Sequence, residues 1–300
     1  MKRLPTMKQL QYLVALADTR HFGHAAERCH ITQSTLSAGI RDLESVLGTA
    51  VAERSNRRVL ITRVGAEIAE RAKALLRDAE DVMEVARAGR SPMMGEMRLG
   101  VIPTIGPFLL PRVLPGLRER FPELTVFLRE EQTAPLLARL EDAELDAALI
   151  ALPYDTGGLD ARVILEDGFL FACSRDHALA GAGEVSLDAL AGECILLLEE
   201  GHCLRGHALD ICELGDTTTR AQFEASSLHT LVQMVAAGIG VTLLPQLAVD
   251  ADIARGTGIS LSRLAMPTSR QIGLVWRRSS LRADEFRLLA QTLRELTGMA

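Results

Sequence analysis

Aromatic side chains are scarce in this 300-residue chain: one Trp, two Tyr and eight Phe make up 4% of it. Any core must therefore be built mainly from aliphatic groups. No run of about 18 apolar residues occurs, so no segment reads as a membrane-spanning helix. The N-terminus turns amphipathic at once instead of presenting a signal peptide, and a soluble cytoplasmic protein without a membrane partner is expected. Cysteine is also sparse. Five cysteines, an odd number in a chain this long, do not suggest a secreted disulfide framework. Cys29, Cys173 and Cys194 are then most simply buried or inert. Net positive charge is missing too, since the sum is −6.

What is present is 48% hydrophobic and 24% charged, the composition of a globular protein of two or three domains. The charge is unevenly spread. Residues 1–65 carry ten Lys or Arg against five Asp or Glu, whereas residues 91–300 carry eighteen against twenty-eight. Only the basic end suits a polyanion.

Within that end, Leu10, Leu13, Val14 and Ala17 follow the i, i+3, i+4, i+7 stripe of an amphipathic helix. A short helix near residues 23–28 and the turn Cys29-His30-Ile31-Thr32 lead to a third. There Leu36, Ile40, Leu43 and Leu47 form the apolar stripe, leaving Gln33, Ser34, Ser37 and Arg41 outward. Short polar side chains near a helix start, behind a tight turn, have the form of a helix-turn-helix that reads the major groove. A merely solvated face would look similar. Arg54, Arg57 and Arg58 lie between Val51 and Val59-Leu60-Ile61, and strand, basic turn, strand reads as a wing.

Gly65, Ile68, Ala72, Leu75, Ala79, Val82 and Ala86 recur every three or four residues, the seam of a helix that gains from a partner helix. Packing on its own domain is the alternative. Residues 88–95 break the periodicity and form a linker. Strand and helix signals then alternate, which argues for α/β architecture with largely parallel sheets. Strands are expected at 97–102, 124–128 and 147–152, with helices at 108–121 and 135–145. Thr104 and Thr133 fall at carboxyl ends of strands, where such units bind ligands. A second lobe is expected after Arg162, with strands at 169–172, 194–198 and 240–244. The run 270–276 and a final helix from about 282 to 296 return to the first lobe.

Glu199 to Cys212 is the most unusual stretch. Cys203 and Cys212 stand nine residues apart, with His202, Arg205 and His207 around the first. Cationic neighbours and a helix N-terminus both favour a thiolate, and Gly201 marks a plausible helix start. On one continuous helix the two cysteines would face opposite sides about 13.5 Å apart along the axis, and a disulfide needs Cα atoms within about 7 Å. Joining them would require dismantling the helix, which Gly206 makes easier. Two inert core thiols remain an alternative. A metal site at His202, Cys203, His207 and Cys212 lacks a familiar zinc spacing.

Gly201-His202-Cys203-Leu204-Arg205 with Cys212 resembles the sensing segment of the OxyR family of peroxide-responsive LysR-type regulators. The resemblance extends through Phe22-Gly23-His24-Ala25-Ala26, Thr32 to Ser37, Ile40 to Glu44, Ile102 to Pro107, Glu131-Gln132-Thr133, Ser226-Ser227-Leu228 and Met234 to Gly238. It implies an N-terminal all-α winged helix-turn-helix domain at 1–65 and a linker and dimerisation helix at 66–90. It further implies an α/β two-lobed, periplasmic-binding-protein-like regulatory domain at 91–300, with lobe I at about 91–165 and 270–300 and lobe II at about 166–269. By the same resemblance Gln33, Ser34, Thr35, Ser37 and Arg41 are the candidate DNA contacts; Arg54, Arg57 and Arg58, on the wing read from the sequence pattern, are placed to contact the backbone or minor groove. Cys203 becomes the peroxidatic and Cys212 the resolving cysteine, with Thr104, Thr133, His202 and Arg205 binding peroxide. The implied partners are double-stranded DNA, hydrogen peroxide, a second copy in a dimer or tetramer, cellular thiol reductants and RNA polymerase. No cofactor or metal is expected. Ser34 stands where many relatives have Pro, and Gly206 and His207 where many have acidic and amide residues. Two rival functions are a LysR-type regulator of a small metabolite bound between the lobes and a thiol peroxidase enzyme; the second leaves the basic module unexplained.

Overall fold

The computed structural model describes residues 4–54, 59–88, 92–190, 192–211 and 224–298. The chain divides into two compact units, Met1–Arg90 and Ser91–Ala300. Among the described residues, no helix is long and apolar enough to cross a membrane.

In the first unit, α1 (Met7–Thr19) starts at a capping box. The Thr6 hydroxyl accepts from Gln9 N–H at 3.3 Å while the Gln9 side chain accepts from Thr6 N–H at 2.9 Å. Helix α2 (Phe22–Arg28) follows, capped by the His21 ring, which accepts from Gly23 and His24 N–H. Helix α3 (Gln33–Leu47) carries the expected stripe inward, with Leu36, Ile40 and Leu43 all buried. Gly48, at φ 69°, ends it in the left-handed region that glycine favours. Strands β1 (Ala52–Arg54) and β2 (Val59–Ile61) pair antiparallel. The Glu44 carboxylate accepts Val51 N–H at 2.9 Å and so ties this ribbon to α3.

The first turn of helix α4 (Arg63–Ala88) carries Gly65, where a Cβ would lie 2.0 Å from the Val51 carbonyl oxygen; only glycine fits. The apolar seam proposed for a partner helix divides here. Ala69 and Ala72 are buried with α1's Leu13 and Leu16 in the unit's own core, flanked by Ile68 and Leu76. Leu75 and Val82 are exposed. The first turns therefore serve the domain that they leave, because small residues at 69 and 72 let α4 lie close on α1.

The second unit opens with β3 (Gly95–Val101), α5 (Gly106–Arg120), β4 (Leu124–Glu130), α6 (Thr133–Glu141) and β5 (Ala147–Leu152). Strand β3 pairs parallel with β4 and β5. Then comes β6 (Leu159–Ser174), a 16-residue strand. The remaining elements are β7 (Glu184–Val185), β8 (Leu197–Leu198), α7 (Cys203–Ile211), β9 (Glu224–Ala225) and α8 (Leu228–Ala236). They continue with β10 (Thr242–Pro245), α9 (Gln246–Asp250), β11 (Ile259–Leu264), β12 (Ser269–Arg277) and α10 (Ala283–Leu296).

The strand order is β4-β3-β5-β12-β6-β11-β7, with β10 also on β6. The expectation of largely parallel sheets is corrected beyond β5. Strand β12 runs antiparallel to both β5 and β6, and β10 and β11 run antiparallel to β6. The cause is β6 itself, which continues from one lobe into the other so that later strands return alongside it. Its first half, rich in charge, does not read as strand, yet Leu159 to Gly168 pair with β12. The strand expected at 194–198 shrinks to β8 with a single bridge between Ile195 and Val241.

Candidate functional site

Cys203 is the first residue of α7, behind a turn in which Gly201 has φ 91°. A Cβ on Gly201 would come 2.3 Å from the Gln132 side-chain oxygen. Gln132 also donates from Nε2 to the Glu200 carbonyl at 3.2 Å, so the loop before α6 closes over the turn before α7. Thr133, the first residue of α6, is 1% exposed, and its hydroxyl lies 2.7 Å from Cys203 Sγ. Two helix starts thus converge on one sulfur, and both dipoles favour negative charge there.

The cation beside that sulfur is Arg270, on β12. Its side chain is fully buried, and it acts electrostatically on Cys203. Its Nη1 donates to the Thr104 hydroxyl and its Nη2 to the Thr104 carbonyl, both at 3.0 Å. Nε donates to Asp167 Oδ2 at 3.0 Å, and the other Asp167 oxygen accepts Leu247 N–H at 2.8 Å. Burial pushes the Cys203 thiol above its ordinary value, opposed by the Thr133 hydrogen bond, by Arg270 and by its own backbone N–H. Burial likewise pushes the Asp167 carboxyl up, while Arg270 and Leu247 N–H hold its charged form.

This corrects the expected electrostatics around the thiol. His202 is 9% exposed and desolvation lowers its pKa, so the imidazole is neutral at pH 7 and supplies no positive charge. Arg205 donates to the Leu198 carbonyl at 3.2 Å and to Glu224 at 2.7 Å, binding α7 to the β8 and β9 pair. Its charge is thereby paired with the Glu224 carboxylate. Thr104 is 2% exposed and reaches the site through Arg270. Sequence reasoning missed Arg270 and Asp167 altogether.

A cavity of about 260 Å³ opens on the sulfur, lined by Pro153, Tyr154, Gly201, His202, Cys203, Gly206 and His207. Nothing lies within 4 Å of a Cβ placed on Gly206, so this glycine leaves the mouth open. Cys212 lies outside the described residues. Of the other thiols, expected to be buried or inert, Cys173 is buried, Cys29 half-buried and Cys194 exposed. It stands ahead of the apolar run, with its carbonyl tied to Val241 N–H and its side chain left outward. Among the described residues, no group of three or more His, Cys, Asp or Glu could hold a metal ion.

In the first unit, Gln33, Ser34, Thr35 and Arg41 are exposed on α3, and Ser37 is half-buried. The Thr32 hydroxyl caps the helix by accepting Thr35 N–H at 3.2 Å. It also lies 2.9 Å from the Ser34 hydroxyl and 2.8 Å from that of Thr35, so these two side chains are held at the helix start. Arg54 ends β1, whereas Arg57 and Arg58 lie outside the described residues.

Residues 7–66 match the bacterial regulatory helix-turn-helix model of the lysR family, and residues 90–298 match the LysR substrate binding domain. The chain belongs to the LysR family. Among LysR-type relatives, a probable hydrogen peroxide-inducible genes activator of Mycobacterium avium is 45% identical, covering 97% of this chain and 94% of its own. The regulator EstR of Acinetobacter baylyi is 38% identical and covers 99% of both. A solved cysteine-to-serine variant of OxyR from Corynebacterium glutamicum, with H2O2 bound, is 36% identical at a TM-score of 0.68. That match covers 99% of this chain and 94% of the other. The LysR helix-turn-helix model spans α1 to α3 and the ribbon; the substrate-binding model spans the second unit and the Cys203 site.

Proposed function

We propose that this LysR regulator senses hydrogen peroxide at Cys203 and switches transcription of oxidative-stress genes. The observation that carries the reading is a single sulfur 2.7 Å from the Thr133 hydroxyl, within the field of the buried Arg270 charge and lining a small cavity. A sulfur pair on Cys203 forms a bond to one peroxide oxygen while the O–O bond breaks. The sulfur is oxidised to the sulfenic acid, and the departing hydroxide takes a proton to leave as water. Thr104, Thr133 and His202 hold the peroxide and, with Arg270, stabilise the departing charge. Arg205 holds the helix start.

Cys212 then attacks the sulfenic sulfur, forming the disulfide and releasing a second water. Eight intact helical steps from Cys203 carry the chain about 12 Å to Ile211. One further residue adds or subtracts 3.8 Å between Cα atoms, which leaves the gap above the roughly 7 Å limit. Opening of α7 must therefore precede closure, and this converts oxidation into a change of shape. Cellular dithiols reduce the bond and reset the protein.

The first unit reads DNA as a winged helix-turn-helix. Gln33, Ser34, Thr35, Ser37 and Arg41 face the major groove, and Arg54, Arg57 and Arg58 act from the wing. The second unit works as a periplasmic-binding-protein-like pair of lobes, about 91–165 with 270–300 and about 166–269. The exposed Leu75 and Val82 on α4 suit a dimer seam, which two half-sites on DNA require; dimers pair into tetramers that contact RNA polymerase.

Thiol mass mapping before and after stoichiometric peroxide, with DNA footprinting on both samples, tests this reading. A Cys203–Cys212 bond and a changed footprint are expected, both lost in Cys203→Ser. A peroxide response retained by that variant would sink it. The cavity also suits a small metabolite, and EstR is a regulator whose name carries no peroxide. Calorimetric saturation by a metabolite, with Cys203 inert to peroxide, would favour that reading instead.

A further inference from the structure

We infer that Asp167 is a positioning residue for the Cys203 reaction, acting through Arg270. The inference rests on the reading of Cys203 as the reacting sulfur. Asp167 and Arg270 stand directly opposite each other on β6 and β12. Both side chains are essentially sealed from water, at 1% and 0% exposure. A buried ion pair does little for stability, because desolvation of both charges offsets their attraction. A hydrophobic pair would fill these facing strand positions as well.

What the pair does is fix a direction. Asp167 Oδ2 takes Nε at 3.0 Å and Nη2 at 2.9 Å, which locks the guanidinium plane. The remaining edge is thereby turned to Thr104, whose hydroxyl and carbonyl each accept at 3.0 Å. The carboxylate is itself anchored, since Oδ1 accepts Leu247 N–H at the start of α9. Arg270 therefore presents its charge to Cys203 in one orientation before any peroxide arrives. Preorganised charge of this kind needs no rearrangement as negative charge develops on the departing oxygen. Asp167 touches neither sulfur nor oxidant, and its effect passes through the arginine.

The test uses the full-length reduced protein and hydrogen peroxide. Asp167→Asn removes the charge, and its amide N–H₂ must face a donor on one side, either the guanidinium or Leu247 N–H, so the arginine loses its fixed anchor. Oxidation of Cys203 at pH 7, followed by mass spectrometry, should slow about tenfold, the size of one unit of thiol pKa. The pH profile of Cys203 alkylation should move up by a similar step, and Asp167→Glu should recover most of both.

Arg270→Met and the double variant Asp167→Asn/Arg270→Met complete a cycle that also removes any uncompensated buried charge. The double variant should react no more slowly than Arg270→Met alone. A further loss in the double variant would mark a general structural role and overturn the assignment. So would an Asp167→Asn rate and alkylation profile equal to or faster than wild type while wild type reacts. If wild-type Cys203 does not react at all, the sensing reading fails and this one with it.

Discussion

The Thr133 hydroxyl lies 2.7 Å from Cys203 Sγ, joining the start of α6 to the start of α7 across 70 residues of chain. The contact is polar, local and made by a residue almost sealed from solvent. It ties the state of one sulfur to the packing of α6 against α7. A change at that atom breaks a bond between two helix starts as well as altering a side chain.

Thr133→Val keeps the shape and removes the hydroxyl. The thiol then loses the hydrogen bond that opposes its desolvation, and peroxide oxidation of Cys203 should slow by about one to two orders of magnitude, as hydrogen bonds to a charged group are worth about 1.5–3 kcal/mol. Stopped-flow or quenched mass spectrometry gives the rate; an unchanged rate would remove Thr133 from the reacting set.

Burial holds the Cys203 thiol above its ordinary value, so the thiolate is the minor form at neutral pH. Alkylation by iodoacetamide should climb through neutral pH and level only above the ordinary thiol value of about 8.5. Arg270→Gln should move the plateau higher still. A plateau below pH 7 would contradict the burial argument.

Glu131 precedes this threonine by two residues and is clamped by Arg129 at 2.6 Å and Arg139 at 2.7 Å, with Arg139 also paired to Glu144. The two arginines hold its carboxyl down at about 2. The folded pKa is depressed, so its stabilising effect is complete above the unfolded value of about 4.3 and fades as pH falls through 2. Glu131→Gln should lower the denaturant midpoint at pH 7, and the gap from wild type should close between about pH 4.3 and 2. A gap that stays constant across that range would refute the linkage.

Gly201→Ala combines two penalties: φ is 91°, and the added Cβ meets the Gln132 oxygen at 2.3 Å. A cost of about 1–3 kcal/mol is expected in thermal or denaturant unfolding. Adding Gln132→Ala should relieve the steric part and leave the backbone part. Full recovery would show that the left-handed turn costs nothing.

On α3, Arg41 is exposed one turn past Ser37. Arg41→Ala should weaken binding to all sequences alike and reduce the salt slope by about one if it meets a phosphate; a base contact would instead cost about 1–3 kcal/mol at one position of the site. Binding titrations at several salt concentrations separate the two. No change in either would remove Arg41 from the interface.

The parts of the molecule written in local pattern were open to the sequence. Leu36, Ile40 and Leu43 sit at helical spacing, and their burial follows from it. Thr133 was marked by its place after a strand end and Cys203 by a plausible helix start. Arg270 and Asp167 were not, because each stands two residues ahead of an apolar run, where a charge normally signals the wet end of a strand. Their burial depends on the pairing of β12 with β6, a long-range fact that no window of residues contains. The same limit hid the first half of β6 and the use of Ala69 and Ala72 by their own domain. Arg205 misled for the converse reason: closeness in sequence to the thiol suggested its charge acts there, whereas Glu224 takes it.

Strand β12 is inserted in the middle of the sheet, between β5 and β6, and it follows α7 in the chain. A nascent chain that has left the ribosome only as far as Cys203 has its sulfur but neither the arginine beside it nor the strand that closes the sheet. The charge that Arg270 brings toward Cys203 therefore depends on a strand that joins the sheet later than the helix carrying the sulfur.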